Sequence, residues 1–137
     1  MITFSQVSKR YGGKAGVLAL DQVDLAIAEG EFVALLGPSG CGKSTLLNLV
    51  AGFEPLTSGS MLFDGHQVDR PGPERAVVFQ EASLLPWLNV WENVVFGPVV
   101  QGLSVQDYEP RAKEILELVG LEAFHDALPV QLSGGMR

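Results

Sequence analysis

The sequence has little cysteine, little positive charge and no long apolar run. Cys41 is the single cysteine of the 137 residues, so an internal disulfide is excluded and we expect a reducing, cytoplasmic setting. Nine Lys and Arg against 16 Asp and Glu give a formal net charge of -7, without the clustered positive charge that nucleic-acid binding requires. Apolar runs such as 32–37 and 94–100 are far shorter than the ~18 residues of a membrane span. We therefore expect neither nucleic-acid binding nor a membrane crossing.

The composition favours one packed domain, because 47% of the residues are hydrophobic and 18% are charged. Alternation of apolar and polar residues over 2–8 and 18–28 predicts two antiparallel strands and is unlike a secretory signal. The run 32–36 is apolar on both faces, which predicts a buried strand of a parallel sheet. The run 76–79 predicts another buried strand.

Further patterns predict a hairpin and several helices. Residues 43–51 predict a buried helix that Gly52 ends, and 58–68 predict two strands around an Asp64-Gly65 turn. In the second part, Asn89 is positioned to cap one helix, and Pro110 is positioned to begin another that ends near Gly120. The second of these helices is expected to bury a stripe at helical spacing, namely Ala112, Ile115, Leu116 and Val119. The whole predicts one α/β unit with an N-terminal antiparallel region and a helical insertion.

The stretch "GPSGCGKST" matches the P-loop pattern G-x-x-x-x-G-K-[ST], between a predicted strand and a predicted helix. Its backbone N–H groups and the helix dipole are suited to phosphate oxygens, Lys43 to the terminal phosphates and Ser44 to a magnesium ion. Cys41 occupies a free position of the pattern. The alternative is a glycine-rich turn that only joins a strand to a helix. The predicted ATP-binding residues of this stretch are Gly37, Pro38, Ser39, Gly40, Cys41, Gly42, Lys43, Ser44 and Thr45.

With the P-loop in place, the chain resembles the ATP-binding subunits of ABC transporters. Tyr11, in "KRYGG", matches the aromatic residue that stacks on adenine in that family, although an ordinary strand-end tyrosine is the alternative. Gln80 matches the Q-loop glutamine, which approaches magnesium and the attacking water. "LSGGM" at 132–136 resembles the signature sequence, with Met136 in place of the usual glutamine. The resemblance implies that Ser133, Gly134 and Gly135 contact the ATP of a partner subunit.

Residues 72–97 resemble the nitrate, sulfonate and taurine branch of the importers, in which a "LLPW" run follows the Q-loop. In that branch the run forms a surface for the membrane subunit. Trp87, beside Pro86 in a loop, is the residue we expect to be exposed and to dock there. For Trp91 a place in the core of the helical insertion is nearly as well supported.

The family's catalytic carboxylates are missing from this sequence. No Asp-Glu pair occurs in it, and both histidines, His66 and His125, precede the signature. The resemblance therefore implies a partial nucleotide-binding domain over 1–137, with the C-terminal half absent. Its P-loop core covers about 1–80, and the Q-loop and helical insertion cover about 80–137. We expect ATP binding without turnover by this chain alone, and marginal stability or aggregation because strand edges are left unpaired.

The implied full subunit is an ATPase that uses ATP and magnesium to energise import of nitrate, sulfonate or taurine-like anions. Its implied partners are a second ATP-binding subunit, transmembrane permease subunits and, indirectly, a periplasmic substrate-binding protein. Its implied location is the cytoplasmic face of the inner membrane. Two alternatives stay open from the sequence: a non-hydrolysing ATP-binding regulatory module, and an unrelated soluble P-loop kinase or NTPase.

Overall fold

The computed structural model describes residues 1–81 and 83–136, and for Lys14 it describes the backbone alone. Arg137, which follows the predicted signature, lies outside the described residues. The contacts within the chain divide it into two compact units, Met1–Val78 and Phe79–Arg137. The P-loop belongs to the first unit, and Gln80 and the signature belong to the second.

The first unit contains a four-stranded antiparallel sheet. Its strands are β1 (Ile2–Tyr11), β2 (Val17–Ile27), β3 (Ser58–Phe63) and β4 (His66–Gln67), in the spatial order β2-β1-β3-β4. The two predicted opening strands and their antiparallel pairing are confirmed. Because Ile2 pairs with Ile27 on one side and with Phe63 on the other, β1 is a central strand of the sheet.

The predicted hairpin is also confirmed. Asp64 and Gly65 join β3 to β4 with φ angles of 48° and 78°. Positive φ at both central residues is the requirement of the tight turn that matches strand twist. The sequence pair Asp-Gly therefore favours this turn locally, and the Asp64 N–H also donates to the Met1 carbonyl at 2.9 Å.

Helix α1 (Lys43–Ala51) has the predicted bounds and ends at Gly52, which has a φ of 77°. The Gly52 N–H donates to the carbonyls of Asn48 and Leu49, so it satisfies acceptors that the helix end leaves open. Helix α1 buries Leu46 and Leu49 against the sheet. The buried core of this unit consists of Phe4, Val7, Leu46, Leu49, Met61 and Val68.

The two predicted buried strands are wrong. Residues 32–36 and 76–79 lie in irregular backbone, and no strand of the described residues pairs with either run. Phe32 and Leu36 are 94% and 92% exposed, and Val78 is 97% exposed, while Leu35 packs against the core. An apolar run indicates a preference for burial, but a strand forms only where a neighbour supplies hydrogen bonds.

The second unit is built on helices α2 (Val90–Val100) and α3 (Val105–Leu118). Asn89 caps α2 as predicted, since its side chain accepts from the Glu92 N–H at 2.8 Å and its own N–H donates to Glu92 Oε2 at 2.8 Å. The predicted start of α3 at Pro110 is wrong, because the helix begins five residues earlier and Pro110 lies inside it.

The start of α3 is set by Ser104 and Asp107. The Asp107 carboxylate accepts from the Ser104 hydroxyl at 2.7 Å and from its N–H at 3.3 Å. This contact stabilises the first turn. It outweighs the preference of proline for the first helical position, and Gly120 follows the end of the helix, as predicted, with a φ of 69°.

The core of the second unit contains Val90, Leu116 and Leu132. Of the predicted stripe, Ala112 and Leu116 are buried, whereas Ile115 and Val119 are 37% and 58% exposed. Two of the four residues in the predicted stripe are therefore buried. Within residues 1–81 and 83–136, no helix combines the length and apolar character needed to cross a membrane.

Candidate functional site

The loop before α1 lies tightly against strand β2. Gly42 has a φ of 94°, a conformation that glycine tolerates best, and a Cβ at this position would meet the Ala19 carbonyl oxygen at 2.6 Å. Gly40, with a φ of 81°, has open space beside it. Gly42 therefore permits close packing of the loop on the sheet, and Gly40 permits the turn toward solvent.

The start of α1 is suited to an anion. The N–H groups in the first turn of an α-helix have no partner within the helix, and no side chain of the described residues caps this terminus. The positive end of the helix dipole adds to their partial charge. This arrangement supplies hydrogen-bond donors and positive potential at the same point.

Lys43 adds a full positive charge to this terminus. Its Nζ donates to the Gly37 and Pro38 carbonyl oxygens, each at 2.7 Å, and lies 3.6 Å from Cys41 Sγ. Within the described part of the chain the ammonium group pairs with no carboxylate. Its charge is therefore available to neutralise a bound anion.

Most of the predicted loop residues line one cavity of about 470 Å³ that is open to solvent. Ser44 and Thr45, which both carry hydroxyl groups, line this cavity together with Lys43. Hydroxyl oxygens are hard ligands of the kind that magnesium prefers, so the donor set fits a magnesium ion bound together with phosphates. The lining residues are Ala19, Ser39, Gly40, Gly42, Lys43, Ser44 and Thr45.

Tyr11 lies at the end of β1, next to the loop. Its hydroxyl is 3.5 Å from Thr45 Oγ1, and the residue is 38% exposed. The Nζ of Lys9 lies 4.9 Å from the centre of the Tyr11 ring and forms an ion pair with Glu54 Oε2 at 2.9 Å. The sequence analysis missed Lys9 and Glu54, because the residues are 45 positions apart and no local pattern joins them.

The Lys9–Glu54 pair makes stability depend on pH. Hydrogen bonds from Lys9 first, and from the Tyr11 hydroxyl second, hold the pKa of Glu54 below its ordinary range. A carboxyl group with a lowered folded-state pKa stabilises the fold above its unfolded-state pKa of about 4.3, and this stabilisation is lost as the pH falls through the lowered folded-state value.

We expect the free energy of unfolding of Glu54→Gln to fall less steeply below about pH 4.3 than that of the unmodified chain. The measurement is the free energy of unfolding against pH, by urea titration. Glu109→Gln, in an exposed pair with Lys113, is the matched control and should leave the pH profile unchanged. If Glu54→Gln and the unmodified chain lose the same stability below about pH 4.3, the Lys9–Glu54 pair is not the source of this pH dependence.

The remaining predicted site residues lie in the second unit. Gln80 follows the irregular run 76–79, and Ser133, Gly134 and Gly135 are exposed. The Met136 N–H donates to the Ser133 carbonyl at 3.0 Å, so a 3-10 turn over Gly134–Met136 begins directly after the serine. Leu132 is buried in the core of this unit and anchors the exposed turn.

The loop of residues 84–88 presents Trp87, which is 71% exposed as predicted. Asn93 holds this loop: its Nδ2 group donates to the carbonyls of Leu85 and Leu88, and its Oδ1 accepts from the Leu85 N–H at 2.8 Å. The sequence analysis missed this role of Asn93. Trp91 is partly buried against the core and stacks on His125, with ring centres 4.9 Å apart.

A second cavity of about 470 Å³ is lined by residues of the 63–75 segment. In this cavity the guanidinium group of Arg75 pairs with Glu74, donates to the Arg70 carbonyl at 2.6 Å and lies over the Phe63 ring. No predicted site residue lines this cavity. The positive charge there already has an acidic partner, which distinguishes it from Lys43.

The geometry agrees with a comparison to protein families. The profile of the family described as "ABC transporter" matches residues 20–137. The chain belongs to the ABC transporter family. The match includes the loop, the 84–88 run and the signature turn, which the sequence analysis attributed to this family.

Curated ABC relatives resemble almost the whole chain. The chain is 52% identical over 128 residues to a taurine import ATP-binding protein of Rhizobium johnstonii, covering 93% of this chain and 48% of the relative. It is 50% identical over 133 residues to one of Burkholderia pseudomallei, covering 96% of this chain and 51% of the relative. The chain thus spans about half the length of the curated relatives it matches.

A solved structure confirms the fold class as that of an ABC ATPase. The ATP-binding cassette MJ0796, in a dimeric post-hydrolysis state bound to ADP and Pi, superposes with a TM-score of 0.82 at 34% identity. The superposition covers 99% of this chain and 65% of the other. The antiparallel sheet and helices described above therefore correspond to the N-terminal part of such a cassette.

Proposed function

We propose that the chain binds ATP through the loop over 37–45 and forms part of the ATP-binding subunit of an ABC importer. The observation that carries this proposal is the uncapped start of α1 beside Lys43, whose ammonium pairs with no carboxylate of the described residues. An unpaired cation and free N–H groups at one helix terminus are suited to the phosphates of a nucleotide. Tyr11 is proposed to stack on the adenine.

Magnesium fits this site through the Ser44 hydroxyl, and Gln80 is proposed as a further oxygen donor. When bound, the ion would neutralise part of the phosphate charge. Lys43 binds the terminal phosphates, and the Thr45 hydroxyl hydrogen-bonds to the phosphate groups. The chain's own contribution is therefore to bind and orient the nucleotide.

For the whole subunit we propose ATP hydrolysis that energises import of nitrate, sulfonate or taurine-like anions. The names of the relatives support a taurine-like substrate, and the "LLPW" run supports the nitrate, sulfonate and taurine branch as a whole. This sequence contains no Asp-Glu pair, the usual source of the second magnesium ligand and the base in the family. We therefore propose that the chain alone binds ATP without hydrolysing it, as the P-loop core and helical insertion of the domain.

The proposed partners follow from two exposed features. Ser133, Gly134 and Gly135 are proposed to contact the ATP held by a second ATP-binding subunit in a homodimer, and the description of MJ0796 as dimeric supports a dimer. Trp87 is proposed to dock on a transmembrane permease, to which a periplasmic substrate-binding protein delivers the anion. These contacts would hold the subunit at the cytoplasmic face of the inner membrane.

Of the two alternatives that the sequence left open, the unrelated P-loop kinase is disfavoured by family membership. The non-hydrolysing regulatory module stays an alternative. It shares the proposed ATP site and differs in pairing with a complete subunit.

Calorimetric titration of the 137-residue chain with ATP, with and without magnesium, tests the proposal. We expect saturable binding that magnesium strengthens, because the Ser44 hydroxyl would hold the ion and its charge would offset that of the phosphates. Phosphate release, measured on the same samples, should stay at the background rate. Absence of ATP binding would overturn the proposed function, and phosphate release above background would overturn the claim that this chain does not hydrolyse ATP.

A further inference from the structure

Lys9 is a buried lysine, with 7% of its surface exposed. A buried ammonium group is costly unless its charge is paired and its protons are hydrogen-bonded. Its Nζ meets this requirement through Glu54 Oε2 at 2.9 Å and the Pro55 carbonyl oxygen at 2.9 Å. Lys9 is therefore fixed in place by the segment that follows α1.

The same ammonium group lies 4.9 Å from the centre of the Tyr11 ring, within the range of a cation–π interaction. The Tyr11 hydroxyl lies 3.5 Å from Thr45 Oγ1. Lys9 thus lies over the face of the ring, and the hydroxyl end of the ring lies near the first turn of α1. Because 38% of the residue stays exposed, surface is left for a bound base.

Glu54 connects this arrangement to α1. The Asn48 Nδ2 group, on the helix, lies 3.5 Å from Glu54 Oε1, and the carboxylate on its other side pairs with Lys9. The helix carries the phosphate-binding loop at its opposite end. The position of the Tyr11 ring relative to that loop therefore depends on the Lys9–Glu54 pair.

We propose that Lys9, held by Glu54, is a positioning residue that orients the Tyr11 ring for stacking on the base of a bound nucleotide. The inference rests on the proposed function, in which Tyr11 contacts adenine and the loop contacts the phosphates. It adds a residue that touches no part of the nucleotide. Its effect is therefore confined to recognition of the base.

Calorimetric titration of the 137-residue chain with ATP and with inorganic tripolyphosphate, both with magnesium, separates base recognition from phosphate recognition. Lys9→Met should weaken ATP binding about 3- to 10-fold, the range of a cation–π contact, and leave tripolyphosphate binding within about 2-fold. Lys9→Arg keeps the cation and should restore most of the ATP affinity. Lys113→Met, in an exposed ion pair, is the matched control.

Thermal melts show whether each variant is folded, and Glu54→Gln replaces Lys9→Met if the latter does not fold. Equal weakening of ATP and tripolyphosphate, or no weakening of either, would overturn the positioning role. Tyr11→Ala separates the two levels of the proposal. If Tyr11→Ala leaves ATP affinity unchanged, base stacking by Tyr11 fails; if it weakens ATP binding while Lys9→Met does not, the positioning role alone fails.

Discussion

Replacing Lys43 by Met is expected to weaken ATP binding by about 10- to 100-fold. Charge-assisted hydrogen bonds contribute about 1.5–3 kcal/mol each, and 1.4 kcal/mol corresponds to a tenfold change in affinity. Among the described residues, the ammonium group donates to the neutral carbonyls of Gly37 and Pro38 and lies near the Cys41 thiol. Phosphate oxygens should displace these weaker acceptors.

Calorimetric titration with ATP and magnesium measures the effect, with Lys113→Met as the control for loss of one positive charge. The circular dichroism spectrum should not change, because the contacts that Lys43 loses lie in an exposed loop. Equal ATP affinity in Lys43→Met and in the unmodified chain would rule out the loop as the phosphate site.

Replacing Leu49 by Ala is expected to lower the free energy of unfolding of the first unit by about 2–5 kcal/mol, the usual cost of such a truncation in a core. Leu49 is fully buried on α1, between the helix and the sheet residues Phe4, Val7 and Met61. Truncation removes apolar contacts and leaves a cavity. A loss of this size is a large part of the stability of an ordinary domain, about 5–15 kcal/mol.

The matched control for Leu49→Ala lies on the same helix. Leu47 is 57% exposed, so Leu47→Ala should change the free energy of unfolding by no more than about 0.5 kcal/mol. Urea unfolding followed by circular dichroism measures both variants. Similar losses in the two would show that α1 does not pack on the sheet as described.

The sequence predicted well those features that local chemistry determines. Helix α1, its end at Gly52 and the Asp64-Gly65 turn each depend on residues close together in the chain, and each was confirmed. The proposed phosphate-binding loop is equally local, since its residues are contiguous. A motif search therefore finds them without knowledge of the fold.

Most of the failures involve features that local chemistry does not determine. The apolar runs 32–36 and 76–79 have strand-like composition, but pairing depends on a neighbour that no local pattern reveals. The wrong helix start at Pro110 is different, because the Ser104–Asp107 contact that overrides the preference of proline is itself local. Lys9 and Glu54 meet only because β1 and the segment after α1 fold together.

The exposed apolar side chains of the runs 32–36 and 76–79 also affect the heat-capacity change on unfolding of the chain. Phe32, Leu36 and Val78 are already more than nine-tenths hydrated in the folded chain, at 94%, 92% and 97% exposure. The heat-capacity increment of unfolding, about 12–15 cal/mol/K per residue in ordinary domains, arises from apolar surface that becomes hydrated only on unfolding. These side chains contribute almost nothing to it, so the curve of stability against temperature is flatter than the length of the chain alone would give.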